Sequence, residues 1–275
     1  MSVVLSLLAS LTWGVSDFLG GTAAKRLSAT AVVAVSQALA LVGLLVVAGA
    51  MRAFDAPLGY LGWALGAAVF SVIALSAFYA ALASGTMGVV APIAALGVAV
   101  PVVVGLALGD RPTVAQDVGV VVAVIGVVLA SGPEARAGAG RRPLLLAAVA
   151  AVGFGVVILF VARGAKTDPT MTLVVMRVGS VGILAALGAA GRADLRASRR
   201  DLPILAAVGA GDVGANALFA VASTSGLLTV VSVLSSLYPA VTVLLARVVH
   251  NERLRPVQNV GVVAAMAGVV LIASG

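Results

Sequence analysis

Cysteine is absent from this chain of 275 residues, and histidine occurs once, at His250. Without thiols there is no disulfide framework, no thiolate nucleophile and no cysteine-based zinc cluster, and a single imidazole cannot form a relay. Charge is scarce as well: charged residues are 10% of the chain, against about a quarter in ordinary soluble domains. Aromatics supply only 4%. What fills the sequence is apolar, with 62% hydrophobic residues and a mean hydropathy of +1.20. This composition is that of an integral membrane protein. The net charge of +7 would suggest nucleic acid in a soluble domain. Here the basic residues fall almost wholly in short gaps between apolar runs, so the partner expected for them is the lipid bilayer with its anionic headgroups, and no nucleic acid.

A hydrocarbon core of about 30 Å needs roughly 20 apolar residues in a helix. Ten such runs are predicted, near 2–21, 29–50, 58–83, 88–108, 114–132, 143–162, 170–190, 202–222, 227–248 and 256–274. The first is read as a retained helix rather than a cleaved signal peptide. No connector is long enough for a soluble domain, so the expected location is the inner or plasma membrane, crossed many times.

The stretch Asp110 to Ser131 is echoed at Glu252 to Ala273. A shift of 142 positions matches Arg111 to Arg253, Gln116 to Gln258, Gly119 to Gly261 and Gly126 to Gly268. The chain therefore reads as two copies of one unit, 1–132 and 143–275, joined by a linker at 133–142. Each unit holds five predicted spans. An odd number makes the second copy enter from the opposite side, so the expected fold is an all-α bundle of ten transmembrane helices in two inverted five-helix repeats.

Gaps after odd-numbered spans hold twelve Lys and Arg residues, including Lys25, Arg26, Arg141, Arg142, Arg192, Arg196, Arg199 and Arg200. Gaps after even-numbered spans hold only Arg52, Arg111, Arg163 and Lys166. The positive-inside rule would put the odd gaps in the cytoplasm and both termini outside.

Trp13-Gly14 in the first span, Phe78-Tyr79-Ala80 in the third, the turns Asp110-Arg111 and Glu252-Arg253, and the Gly-rich helices after those turns resemble the EamA-type members of the drug/metabolite transporter superfamily. The resemblance covers essentially the whole chain. It implies ten helices in two inverted repeats, a central cavity with alternating access, and export or exchange of amino acids and related small metabolites. It also implies cytoplasmic termini, against the charge count. Departures concentrate in the first half, where Ser36 stands in the register position of Arg177, and where Asp110 and Pro112 replace the family's usual Glu and Leu.

Ionisable groups deep in spanning helices cost roughly 2.5–3.5 kcal/mol each on insertion scales and are functional candidates. Asp17, Arg177 and Asp212 qualify. A shift of 141 positions, aligning Trp13-Gly14 with Phe154-Gly155, gives them the mates Ile158, Ser36 and Ser71, so none of the three is repeated. Depth along the helices allows Arg177 to pair with Asp212 and keeps Asp17 away from Arg177. Two readings of Asp17 stand open: it binds a cationic part of the substrate or takes a coupling proton, or it lies near the headgroups and pairs with Lys25 or Arg26. Arg177 is a structural or coupling charge. Asp212 with Asn216 one turn on is a cavity candidate. Ser232, Ser235 and Ser236 either contact substrate or bond their own helix backbone. Trp13, Tyr79, Phe154 and Tyr238 either stack on a substrate or pack. Gly209, Gly211 and Gly214 match a dinucleotide-binding pattern but have no strand before them, and read as packing glycines.

The expected function is therefore a secondary-active transporter of a small-molecule substrate, driven by an ion gradient, with protons as the candidate coupling ion, or by the substrate's own gradient. No catalytic residues, metal ligands or cofactors are expected, since an intramembrane enzyme would have only Asp17 and Asp212 to work with. A membrane scaffold or assembly protein without transport activity is the alternative. Inverted repeats and unrepeated buried charges would be gratuitous in it.

Overall fold

The computed structural model describes residues 1–85, 87–107, 109, 111–131, 141–250 and 255–274. Among them there is no strand, and twelve α-helices follow in order. They are α1 (Ser2–Ala24), α2 (Ala29–Ala50), α3 (Leu61–Ser84), α4 (Met87–Ala95), α5 (Ala99–Ala107), α6 (Val114–Ser131), α7 (Arg141–Ala165), α8 (Pro169–Ala189), α9 (Leu202–Ser225), α10 (Leu228–Ser235), α11 (Tyr238–His250) and α12 (Pro256–Ser274). Arg141 and Arg142, assigned to the linker by sequence, begin α7. Residues 133–140 of the linker, and the turn residues Asp110, Glu252 and Arg253, lie outside the described residues.

Two expected spans are broken. The fourth divides into α4 and α5, nine residues each, around a 3-10 turn at Leu96–Val98. The ninth divides into α10 and α11 at Ser236 and Leu237. Proline explains both breaks, because it lacks an N–H and its ring clashes with the carbonyl four residues back. For Pro101 that carbonyl is on Gly97, and for Pro239 it is on Ser235. The backbone answers with tighter bonds, such as Ala240 N–H to the Leu237 carbonyl at 3.0 Å. By length and composition, seven helical segments among the described residues can cross a membrane, with α10 and α11 together counting as one of them. Helices α4, α5, α6 and α12 are not among the seven.

Helix starts follow local chemistry. Ser28 caps α2 by accepting the Ala31 N–H at 3.1 Å, and Asp168 caps α8 by accepting the Met171 N–H at 2.7 Å, with Pro169 in the first turn. Connectors then tie the two halves together at opposite ends of the bundle. At one end the Ser28 and Thr30 hydroxyls donate to the Asp194 carbonyl at 2.6 and 2.9 Å, and Arg26 meets Asp201 at 3.7 Å. At the other end Thr167 lies against Gly59, and Thr170 reaches Met51. Helix α1 therefore ends where α8 ends, and α7 ends where α2 ends, so α1 and α7 run in opposite directions.

The packing pattern repeats when the halves are exchanged. Helix α3 lies along α7 as α1 lies along α9, and α3 touches α8 as α2 touches α9. Helix α1 packs on α10 and α11, and α7 packs on α4 and α5. The echoed helices α6 and α12 pair with each other, with Gly268 set against the Gly119 carbonyl and the Ala123 backbone. Close approach recurs at Gly97 and Gly155, where the break between α4 and α5 meets α7: a Cβ on Gly97 would strike the Ala151 carbonyl, and one on Gly155 would strike the Gly97 carbonyl. Small residues thus let backbones touch where side chains could not fit.

Gly155→Ala is expected to destabilise the protein by about 1–3 kcal/mol through overpacking. Gly182→Ala, where nothing lies within 4 Å, should be neutral or stabilising by up to about 1 kcal/mol. Thermal unfolding of the two variants in detergent measures the contrast. A second expectation concerns Asp201, whose carboxylate accepts from the Ser198 hydroxyl at 2.7 Å and the Ser198 N–H at 3.1 Å. Those bonds, more than the Arg26 charge, hold its pKa below the ordinary value. A lowered pKa contributes stability that is complete above the ordinary aspartate value, about 3.9, and is lost as pH falls through the lower folded value. Asp201→Asn should melt below the wild type at pH 7, and the gap should close as the pH is taken below that window.

Candidate functional site

The site grows out of the middle of the bundle, where α1 and α9 face α3 and α7. Asp212 in α9 sits at its centre. Its Oδ2 accepts from Arg177 Nη2, and its Oδ1 accepts from Asn216 Nδ2 at 2.9 Å and from Trp13 Nε1 at 3.2 Å. Asn216 also donates to the Asp212 backbone carbonyl at 2.7 Å, which the helical spacing of four dictates. Three donors from three helices therefore converge on one carboxylate. The depth argument for an Arg177 to Asp212 pair holds, and Arg177 is 1% exposed.

A cavity opens beside this cluster, lined by Trp13, Asp17, Ser71, Leu75, Phe154, Val157, Ile158, Asp212, Asn216 and Tyr238. The space open to the centres of water molecules is about 50 Å³. That holds a few waters, at roughly 10–15 Å³ each on this measure, and is too small for a metabolite. A ligand of that size can enter only if helices or side chains move apart.

The lining follows the internal repeat. Four pairs of lining residues are register mates under the 141-residue shift: Trp13 with Phe154, Asp17 with Ile158, Ser71 with Asp212, and Leu75 with Asn216. The cavity is thus built from equivalent positions of the two halves, and the chemistry of the two sides differs. Helices α1 and α9 contribute Trp13, Asp17, Asp212 and Asn216; α3 and α7 contribute Ser71, Leu75, Phe154, Val157 and Ile158. One wall is polar and acidic, and the other is almost wholly apolar.

Asp17 lies on the cavity wall and pairs with neither Lys25 nor Arg26. It is buried, with 6% exposure, lines the cavity, and has no hydrogen bond or ion pair among the described residues. Arg26, offered as its headgroup-level partner, binds Asp201 instead. Lys25 does not pair with Asp17 either. The electrostatic neighbours of Asp17 are Asp212 and the buried hydroxyls of Tyr79 and Tyr238.

The other candidates divide. Trp13, Asp17, Phe154, Asp212 and Asn216 are brought together. Tyr79 is buried against Gly20 and Phe78, outside the cavity lining. Ser232, Ser235 and Ser236 are buried away from the cavity; Ser236 Oγ donates to the Val233 carbonyl at 2.8 Å, the backbone alternative of the two foreseen. The glycines of the dinucleotide-like pattern serve packing, Gly209 against the Ser36 carbonyl and Gly211 against Ser16. Sequence reasoning left Leu75 and Val157 out. The register itself could have found Leu75, because it is the mate of Asn216. It had also named Ser71 and Ile158, as mates of the charges, without giving them a place in the site. Tyr238, read as either a stacking or a packing ring, meets Trp13 edge to face at 6.5 Å and lines the cavity. No group of metal-ligating side chains occurs among the described residues.

Comparison with known proteins agrees with this architecture. No curated protein sequence matches the chain. One solved structure, described only as the crystal structure of a protein, superimposes with a TM-score of 0.78 at 18% identity, over 98% of this chain and 95% of its own. That likeness shows a common fold. The model of the EamA-like transporter family matches twice, over residues 1–132 and 141–274, so both halves carry its pattern. This multi-pass membrane protein belongs to the EamA-like transporter family.

Proposed function

We propose that the protein is a secondary-active transporter that exports or exchanges small metabolites, amino acids and their relatives being the class the resemblance implies. In this reading the chain crosses the membrane ten times, in two inverted five-helix repeats joined at 133–142, and works by alternating access. One observation carries it: the central cavity is lined by register mates from both halves, near the middle of helices that run in opposite directions. The small volume means that a metabolite is admitted only when the half-interfaces part, as alternating access requires. The breaks at Gly97 and at Ser236 and Leu237 supply backbone that can bend without costing a regular helix its bonds.

Reconstitution into proteoliposomes tests the proposal. The purified protein is expected to move at least one member of a panel of amino acids and amines, with or without an imposed pH gradient. Folded protein that moves none of them would favour the scaffold reading. The ion pair yields a second expectation. Asp212→Asn leaves Arg177 charged and buried without a counter-charge, and should cost about 3–5 kcal/mol of stability. The double variant Arg177→Met with Asp212→Leu should recover most of that loss, yet still transport poorly because Trp13 loses its anchor. Melting in detergent and initial transport rates measured side by side separate the two effects.

A further inference from the structure

Resting on the transporter reading, we infer that the cavity is built for an organic ammonium with an apolar body and no carboxylate. The argument is a charge count made at the site. Two carboxylates, Asp17 and Asp212, face the cavity, and one guanidinium, Arg177, lies behind them. Arg177 pairs with Asp212, and its remaining nitrogens Nε and Nη1, although without hydrogen-bond partners, are buried outside the cavity lining. A substrate carboxylate would therefore meet the unpaired Asp17 and a guanidinium whose charge Asp212 already balances. Asp17 is the reverse case, a buried carboxylate on the cavity wall with no partner among the described residues. A bound ammonium would supply the missing counter-charge.

The rest of the lining fits the same ligand. Trp13, Phe154 and Tyr238 place aromatic rings on the wall, and ring faces attract alkylated or primary ammonium groups. Leu75, Val157 and Ile158 offer an opposing apolar surface for a hydrocarbon body. The division arises because Ile158 occupies the register position of Asp17 and Leu75 that of Asn216. Charge sits on one side of the cavity and hydrophobic area on the other. A zwitterionic amino acid would satisfy the first and leave its carboxylate stranded.

Trp13 is a built-in reporter once Trp63, the only other tryptophan, is changed to Phe. Fluorescence titration in this background at neutral pH uses phenethylamine, benzyltrimethylammonium, phenylalanine and 3-phenylpropionate as probes. The two amines are expected to bind saturably, phenylalanine about tenfold or more weakly, and 3-phenylpropionate not at all. Asp17→Asn should weaken amine binding by about tenfold or more, Asp17→Glu should retain it, and Phe154→Ala should weaken benzyltrimethylammonium more than tetramethylammonium. Equal binding of phenylalanine and phenethylamine overturns the inference, as does full amine affinity in folded Asp17→Asn. Should that variant fail to fold, the ligand series on the parent protein decides alone. Transport of amino acids without amine binding would sink this inference and leave the transporter reading intact. Amine binding without transport in proteoliposomes would do the opposite.

Discussion

The buried pair between Arg177 and Asp212 is the constraint on which the central architecture depends. An arginine in the middle of a membrane bundle, 1% exposed, is tolerable only with a counter-charge in place. Asp212 supplies the charge, and in doing so it fixes α8 against α9. The same carboxylate then receives Trp13 from α1 and Asn216 from its own helix, so one group sets the positions of three helices at the level of the cavity. Everything on the polar wall is positioned by satisfying that carboxylate. Asp17 stands apart: it lines the same cavity and has no hydrogen bond or ion pair among the described residues.

The glycine contacts play the complementary part on the other wall. Helix α7 comes against the break between α4 and α5 through Gly97 and Gly155, where backbone meets backbone. Helix α1 uses Gly14, the mate of Gly155, against the start of α11, at the Tyr238 carbonyl and Val241. Equivalent glycines thus hold equivalent helices close in each half. The polar network and the glycine contacts answer different needs: one satisfies buried charge, and the other brings mated helices near enough to enclose a cavity.

Much of this was legible in the sequence, for identifiable reasons. Apolar length fixes the helices, since a chain in lipid must bond its backbone internally. The echo at Asp110 to Ser131 revealed the duplication, and its own helices pair with each other in the fold. Depth counting was enough to join Arg177 with Asp212, because two neighbouring antiparallel helices share one connector. Ser232, Ser235 and Ser236 were read from spacing alone and lie outside the cavity lining; spacing gives a helix its stripe but not its rotation against neighbours. The breaks in the fourth and ninth spans were hidden by unbroken hydropathy, although Pro101 and Pro239 were in view. The partnerless state of Asp17 depended on where Arg26 went, and that was decided by Asp201 across a connector far away in sequence.

The mated lining has a consequence for how such a cavity can change. Each level is made by two residues from equivalent positions, encoded separately, so one can mutate while the other keeps its shape. On the proposed reading, introducing an acid at Ile158 or removing the one at Asp17 would alter what the chamber accepts without touching the Arg177 pair or the glycine seams that enclose it. Duplication has, in effect, separated the lock from its wards: the enclosure needs both copies to stay alike, while selectivity requires only that they differ.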